Sequence, residues 1–229
     1  MTSGRKLGLL GGTFDPVHYG HLDAADAARE ALALDEILFI PSHDPPHRPI
    51  DPLASRFHRF ALTALAVNER PGYFVSEIEL ARKGQSYTVE TLRALHMQGW
   101  NALQLFFILG ADAFAEIATW KEFPAVLDAA HFVVIARPGT TLEQALARTP
   151  ELRMRADATP ATADVSTRTR ILLVRAKTRD VSSTAIRNRI SAGLPIDDLV
   201  PSPVVRHIRK HHLYEAVGSL HGEDAYESR

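Results

Sequence analysis

Two histidines, His18 and His21, stand three residues apart just past the turn Gly11-Gly12-Thr13-Phe14. On the first turn of a helix, that spacing lets both imidazoles reach one phosphate-sized space. Imidazole N–H groups beside the free amides and positive dipole end of a helix suit an anion, above all a phosphate. The paired glycines let the backbone turn sharply and approach a ligand with no Cβ between. Taken alone, the pair also suits a polar first-turn histidine followed by a partly buried one, or half of a zinc site. A second place of this kind comes late in the chain. Val181-Ser182-Ser183-Thr184-Ala185-Ile186-Arg187 puts hydroxyls where they cap exposed helix N–H groups, with an arginine one turn further on. Capping accounts for Ser182 or Ser183. It leaves Arg187 unexplained, since an arginine at such a position ordinarily faces solvent.

Each place needs a strand that delivers the chain and a helix that starts there. Residues 6–10 are a short apolar run ending in Gly-Gly, and residues 20–34 carry Leu22, Ala25, Ala28 and Leu32 at helical spacing. The alternation continues with a strand over 36–41, a Pro- and His-rich loop over 42–52, a helix over 53–68 and a period-two strand over 74–80. It runs on through a helix over 87–98, a strand over 103–109, a helix over 122–130 and strands over 131–136 and 171–174. Helices over 183–192 and 204–211 close the pattern. Strands that are apolar throughout, alternating with helices, predict a doubly wound α/β fold with a mainly parallel sheet covered on both faces. Ligands of such sheets bind beyond the carboxyl ends of the strands. A single domain is expected over residues 1–229. Residues 148–170, rich in Thr, Pro and Arg without periodicity, read as a surface loop, and the polar residues 218–229 as a frayed tail.

Composition removes several classes of function. At 45% hydrophobic and 23% charged, the chain has ordinary globular make-up. Its 26 Lys and Arg against 27 Asp and Glu leave a net charge of −1, so no global field draws it to nucleic acid or anionic lipid. Basic residues interleaved with aromatics, the mark of a nucleic-acid surface, are missing. The basic run from Arg206 to His212 falls at the end of the last helix, where cations complement the dipole, and reads as structural. With no cysteine there is no disulfide, thiolate zinc site or cysteine nucleophile. The sequence shows neither an export signal nor an apolar run long enough for a transmembrane helix, which points to the cytoplasm and no membrane partner.

Residues 11–22, G-G-T-F-D-P-V-H-Y-G-H-L, resemble the first signature of the HxGH nucleotidylyltransferase superfamily. Residues 181–187 are similar to its second, I-S-S-T-x-I-R, with Val181 as the departure. Further segments narrow the likeness: Ile40-Pro41-Ser42-His43-Asp44-Pro45-Pro46-His47-Arg48, Ser86-Tyr87-Thr88-Val89-Glu90-Thr91-Leu92, Leu109-Gly110-Ala111-Asp112, Thr119-Trp120 and Arg137-Pro138-Gly139. Over roughly residues 6–214 the chain resembles the bacterial nicotinate-nucleotide adenylyltransferase family.

The resemblance implies an enzyme of NAD biosynthesis that moves AMP from ATP, accompanied by Mg²⁺, to nicotinate mononucleotide and releases pyrophosphate. It makes His18, His21 and Arg187 the catalytic residues. Gly11, Gly12, Thr13, Phe14, Ser182, Ser183 and Thr184 become the ATP contacts. Tyr87 and Thr88 would line a nicotinate pocket with helix-start N–H groups facing the carboxylate, Trp120 would stack on the pyridine, His47 and Arg137 would meet phosphates, and Asp112 would fix a ribose or adenine group. No protein metal site is implied. In-line displacement at phosphorus suits these residue types, since it asks for alignment and fixed donors more than for a nucleophile. Members often have Asn where this chain has His43, and an aromatic where it has Lys121. A nicotinamide mononucleotide or phosphopantetheine adenylyltransferase, or a non-catalytic nucleotide-binding regulator of the same fold, are the alternatives. The first histidine argues against the phosphopantetheine enzymes, which usually carry Thr there. Whether the chain forms a homo-oligomer is left open.

Overall fold

A computed structural model describes residues 4–45, 52–159 and 163–215. Its centre is a seven-stranded sheet built from β1 (Leu7–Gly12), β2 (Glu36–Pro41), β3 (Tyr73–Val75), β4 (Leu105–Gly110), β5 (His131–Ala136), β6 (Ala156–Asp157) and β7 (Ile171–Arg175). The strands lie in the order β3-β2-β1-β4-β5-β7-β6, and every pairing is parallel. Helices α1 (Tyr19–Leu32), α2 (Arg56–Val67), α3 (Thr88–Met97), α4 (Ala111–Phe114), α5 (Leu142–Ala145), α6 (Ser183–Ser191) and α7 (Ser202–Lys210) connect and cover it.

Strand alternation divides the core in two. Leu10, Phe106, Ile108, Val133, Ile135, Leu172 and Val174 face one layer, where they meet Leu22, Ala25 and Ala28 of α1, Leu62 of α2, Ile186 of α6 and Val204 of α7. Leu7, Leu9, Leu105, Phe107, Phe132 and Val134 face the other, packed on Val89, Leu92 and Leu95 of α3. Strands buried on both faces are thus apolar at nearly every position, His131 at the start of β5 being a buried polar exception, which is why they are legible as continuous runs. The chain changes direction across the sheet between β1 and β4, and the crevice of a doubly wound sheet opens beyond the carboxyl ends of such a strand pair. Among the described residues, no helix is long and apolar enough to cross a membrane.

Three expectations need correction. The strand expected over 74–80 stops at Val75, because the Ser76 hydroxyl accepts the Ile78 N–H at 3.2 Å and turns the chain away. The helix expected over 122–130 is a single tight turn, Ala125–Asp128, since Pro124 supplies no amide and Glu122 has a left-handed backbone, φ 62°. The stretch 148–170 is not all loop: it holds a 3₁₀ helix, Pro150–Arg155, and the edge strand β6. The tail expected to fray, 218–229, lies outside the described residues.

Candidate active site

The loop from β1 to α1 is fixed from several directions. Asp15, only 2% exposed, accepts the Leu53 and Ala54 amides at 2.9 and 3.0 Å and the Tyr214 hydroxyl at 2.9 Å. Phe14 takes a left-handed backbone, φ 50°, and sets its buried ring edge-on to His21, with centroids 5.0 Å apart. Its side chain therefore backs the histidine rather than facing a ligand. Arg59 is 1% exposed and donates to the carbonyls of Thr13 at 2.8 Å, Ala54 at 3.3 Å and His43 at 3.3 Å. One buried guanidinium thus ties the glycine turn to the loop after β2.

His18 caps α1 with extended backbone, and its amide donates to Nδ1 of His21 at 3.2 Å. A histidine that accepts at Nδ1 carries its proton on Nε2, so His21 is set as an Nε2–H donor. The two rings stack with centroids 3.7 Å apart. Burial lowers the His18 pKa to about 4, so this ring is neutral at physiological pH. Gly20 between them has a packing reason: a Cβ there would lie 3.1 Å from Nδ1 of His18 and 3.2 Å from the Arg179 carbonyl.

The late segment meets this loop directly. The Ser182 hydroxyl caps α6 by accepting the Ala185 amide at 3.1 Å, and the Ser183 hydroxyl donates to the Pro16 carbonyl at 2.9 Å. Arg187 donates to the Asp15 carbonyl at 2.8 Å and to the Thr184 hydroxyl at 3.2 Å. Two helix N-termini, a stacked histidine pair and a held guanidinium therefore converge at one end of the sheet. Fixed N–H donors and positive dipole ends in one place can bind the oxygens of a polyphosphate.

Alongside lies a cavity of about 280 Å³, lined by Gly11, Gly12 and Thr13 on one side and by Tyr87, Thr88 and Trp120 on the other. Tyr87 is the N-cap of α3, so the first amides of that helix open here. Trp120 stands edge-on to Phe107, centroids 5.9 Å apart, at the cavity wall. A flat ring bearing an acidic group fits walls of this kind: aromatic faces, with a helix N-terminus at the edge.

Most of the expected site residues thus fall in two adjoining groups. Asp112 is exposed on the first turn of α4, and Arg137 is exposed after β5, paired with Asp180 at 3.4 Å. His47 lies outside the described residues. His43 gives its amide to the Ser86 hydroxyl at 2.9 Å, linking the loop after β2 to the start of α3. Arg59, Glu79 and Tyr214 were not singled out from sequence. Arg59 carried a signal, since it shares one helical stripe with Leu62, Thr63, Ala66 and Val67. Glu79 and Tyr214 carried none, because their partners Thr91 and Asp15 are set by the fold.

A parallel doubly wound sheet with an anion site beside an aromatic-walled cavity defines a nucleotidyltransferase of Rossmann-like fold, and the cytidylyltransferase-like family model matches residues 9–189. The chain belongs to the nicotinate-nucleotide adenylyltransferase family. It is 39% identical over 214 residues to a probable nicotinate-nucleotide adenylyltransferase of Moorella thermoacetica, covering 93% of this chain and 94% of that one. A probable nicotinate-nucleotide adenylyltransferase of Roseiflexus sp. is 41% identical, covering 93% of this chain and 99% of its own. Among solved structures, Plasmodium falciparum nicotinic acid mononucleotide adenylyltransferase complexed with NaAD shares the fold, with a TM-score of 0.67 at 18% identity over 92% of this chain and 97% of that one.

Proposed function

We propose that the protein transfers AMP from ATP to nicotinate mononucleotide, forming nicotinate adenine dinucleotide and pyrophosphate in a cytoplasmic step of NAD synthesis carried out by one domain. The observation that carries this reading is the adjacency of the two sites. The His18–His21 pair and the α6 N-terminus adjoin a cavity whose walls are Tyr87 and Trp120. A phosphate of the acceptor, delivered from that cavity, attacks the α-phosphorus of ATP as the bond to pyrophosphate breaks. Such a displacement is accelerated by alignment and by donors already in place where charge grows.

In this reading His21 donates from Nε2 to the transferring or leaving phosphate, and neutral His18 holds its partner's ring by stacking and by its amide. Arg187 adds fixed positive charge, and Gly11, Gly12, Thr13, Ser182 and Thr184 lie along the triphosphate. Ser183 serves by docking α6 on the Pro16 carbonyl. Tyr87, Thr88 and Trp120 hold the pyridine ring. Asp112 is assigned to a ribose or adenine group, and Arg137 and His47 to phosphates. Mg²⁺ bound with ATP would supply further neutralisation of phosphate charge, in a nucleotide that Arg187 and the α1 and α6 N-termini would hold. The Asp15 carboxylate is already committed to two amides and a hydroxyl, and no cluster of metal-binding side chains is found among the described residues.

Purified protein with ATP, Mg²⁺ and nicotinate mononucleotide is expected to release pyrophosphate, with a smaller rate on nicotinamide mononucleotide. No pyrophosphate with either acceptor would reject the enzyme reading.

A further inference from the structure

The turn after Trp120 is clasped to α3 by two neighbouring ion pairs. Lys121 Nζ lies 2.5 Å from Glu90 Oε1, and Arg93 pairs with both carboxylate oxygens of Glu122, one of them at 2.9 Å. Glu90 and Arg93 sit one helical turn apart, so the clasp fixes both the height and the rotation of the turn. It leaves the Lys121 ammonium 4.4 Å from the centroid of the Tyr87 ring, at the wall of the aromatic cavity. Of the three ammonium donors one goes to Glu90.

Only two charged side chains line this cavity among the described residues, Lys121 and Glu79. Glu79 is 7% exposed and accepts the Thr91 hydroxyl at 2.6 Å, and burial raises its pKa. The two act in opposite senses on a ring that enters. An anionic substituent is repelled by an ionised Glu79 and attracted by Lys121, whereas a neutral amide feels little of either. The amides at the start of α3 donate to an oxygen of an acid or an amide alike and so orient either ring, while the dipole end of the helix adds a preference for the acid of its own.

We propose that Lys121 is the specificity-determining residue of this cavity: its ammonium, braced by Glu90 over Tyr87, offsets Glu79 and selects a ring carboxylate over a ring amide. The assignment rests on the nicotinate mononucleotide reading above. Charge complementarity of this kind sets the difference between two affinities more than the affinity itself.

The test is calorimetric titration with nicotinate mononucleotide and with nicotinamide mononucleotide, with turnover measured in parallel. In Lys121→Met the preference for the acid is expected to fall about tenfold, nearly all of it in the acid arm, while Lys121→Arg keeps most of the preference. Glu79→Gln is expected to move the ratio the other way. Lys121→Gln gives the same readout should the methionine variant fold poorly. An unchanged ratio in Lys121→Met or Lys121→Gln, equal weakening of both ligands in those variants, or a wild-type protein that binds neither would overturn the proposal. Binding that shifts as expected without any turnover would reject the adenylyl-transfer reading alone. Intact turnover with an unchanged ratio would reject the role of Lys121 alone.

Discussion

His18 has given up most of its basicity to burial, with a pKa lowered to about 4, and works as a neutral ring locked against His21. Loss of either ring removes part of a preorganised donor set. His21→Ala and His18→Ala are each expected to lower kcat by about 10² to 10³ in a pyrophosphate-release assay, with far-ultraviolet circular dichroism unchanged. An unaltered rate would make the pair structural. Gly20→Ala is expected to lower kcat by roughly tenfold, since the new methyl would stand 3.1 Å from the His18 ring and tilt it. At this scale the sequence was legible wherever the chemistry lies within a short segment. The two histidines and Arg187 stand out by type and spacing. Lys121 stood out only as a departure from its relatives, because what gives it meaning is Glu90, 31 residues away and brought close by folding.

The elements declare themselves where burial is symmetrical and hide where one polar residue decides. β1, β4, β5 and β7 are apolar on both faces and could be read directly. β3 is cut short by one serine hydroxyl, and the turn before β5 by one proline. Helix α2 was legible as a helix, yet its most consequential residue reads as an ordinary arginine. Arg59 occupies the buried stripe of that helix and spends its donors on three backbone carbonyls of two different loops. Removing it leaves those acceptors buried and unmatched, each at a cost of about 1–3 kcal/mol. Arg59→Met is therefore expected to lower unfolding stability by at least about 3 kcal/mol in urea titration, with ATP binding weakened as the Thr13 turn loosens. A change below 1 kcal/mol would show the carbonyls finding other donors.

Across the whole molecule, two histidines among the described residues are buried, His18 at the N-cap of α1 and His131 at the start of β5. His131 is 0% exposed, stacks on Phe106 with centroids 4.6 Å apart and accepts the Arg170 amide at Nδ1. Its pKa, like that of His18, is lowered from 6.5 to about 4 by burial. Between those values the unfolded chain binds more protons than the folded one, so stability rises with pH up to about 6.5 and is lost as pH falls toward 4. The loss reaches about 1.4 kcal/mol per pH unit for each histidine. Thermal unfolding should show a flat Tm above pH 7 and a decline from about pH 6.5, before most carboxylates titrate. A flat Tm down to pH 5 would contradict the burial argument, and His131→Asn should make the decline shallower. The doubly wound sheet was legible in advance because its strand pattern repeats. The bonds that close it over the site were not, because they join residues from opposite ends of the chain. Asp15 shows what that separation entails for a protein made from one end to the other. Its backbone carbonyl takes Arg187 and its carboxylate takes Tyr214, 172 and 199 residues later in the chain. A nascent chain exposes the glycine turn and both histidines first, and Leu53, Ala54 and Arg59 follow soon after, but Arg187 and Tyr214 join them only much later. The half-made protein therefore has the letters of a nucleotide site without the site, and competence waits until Arg187 and Tyr214 have been made.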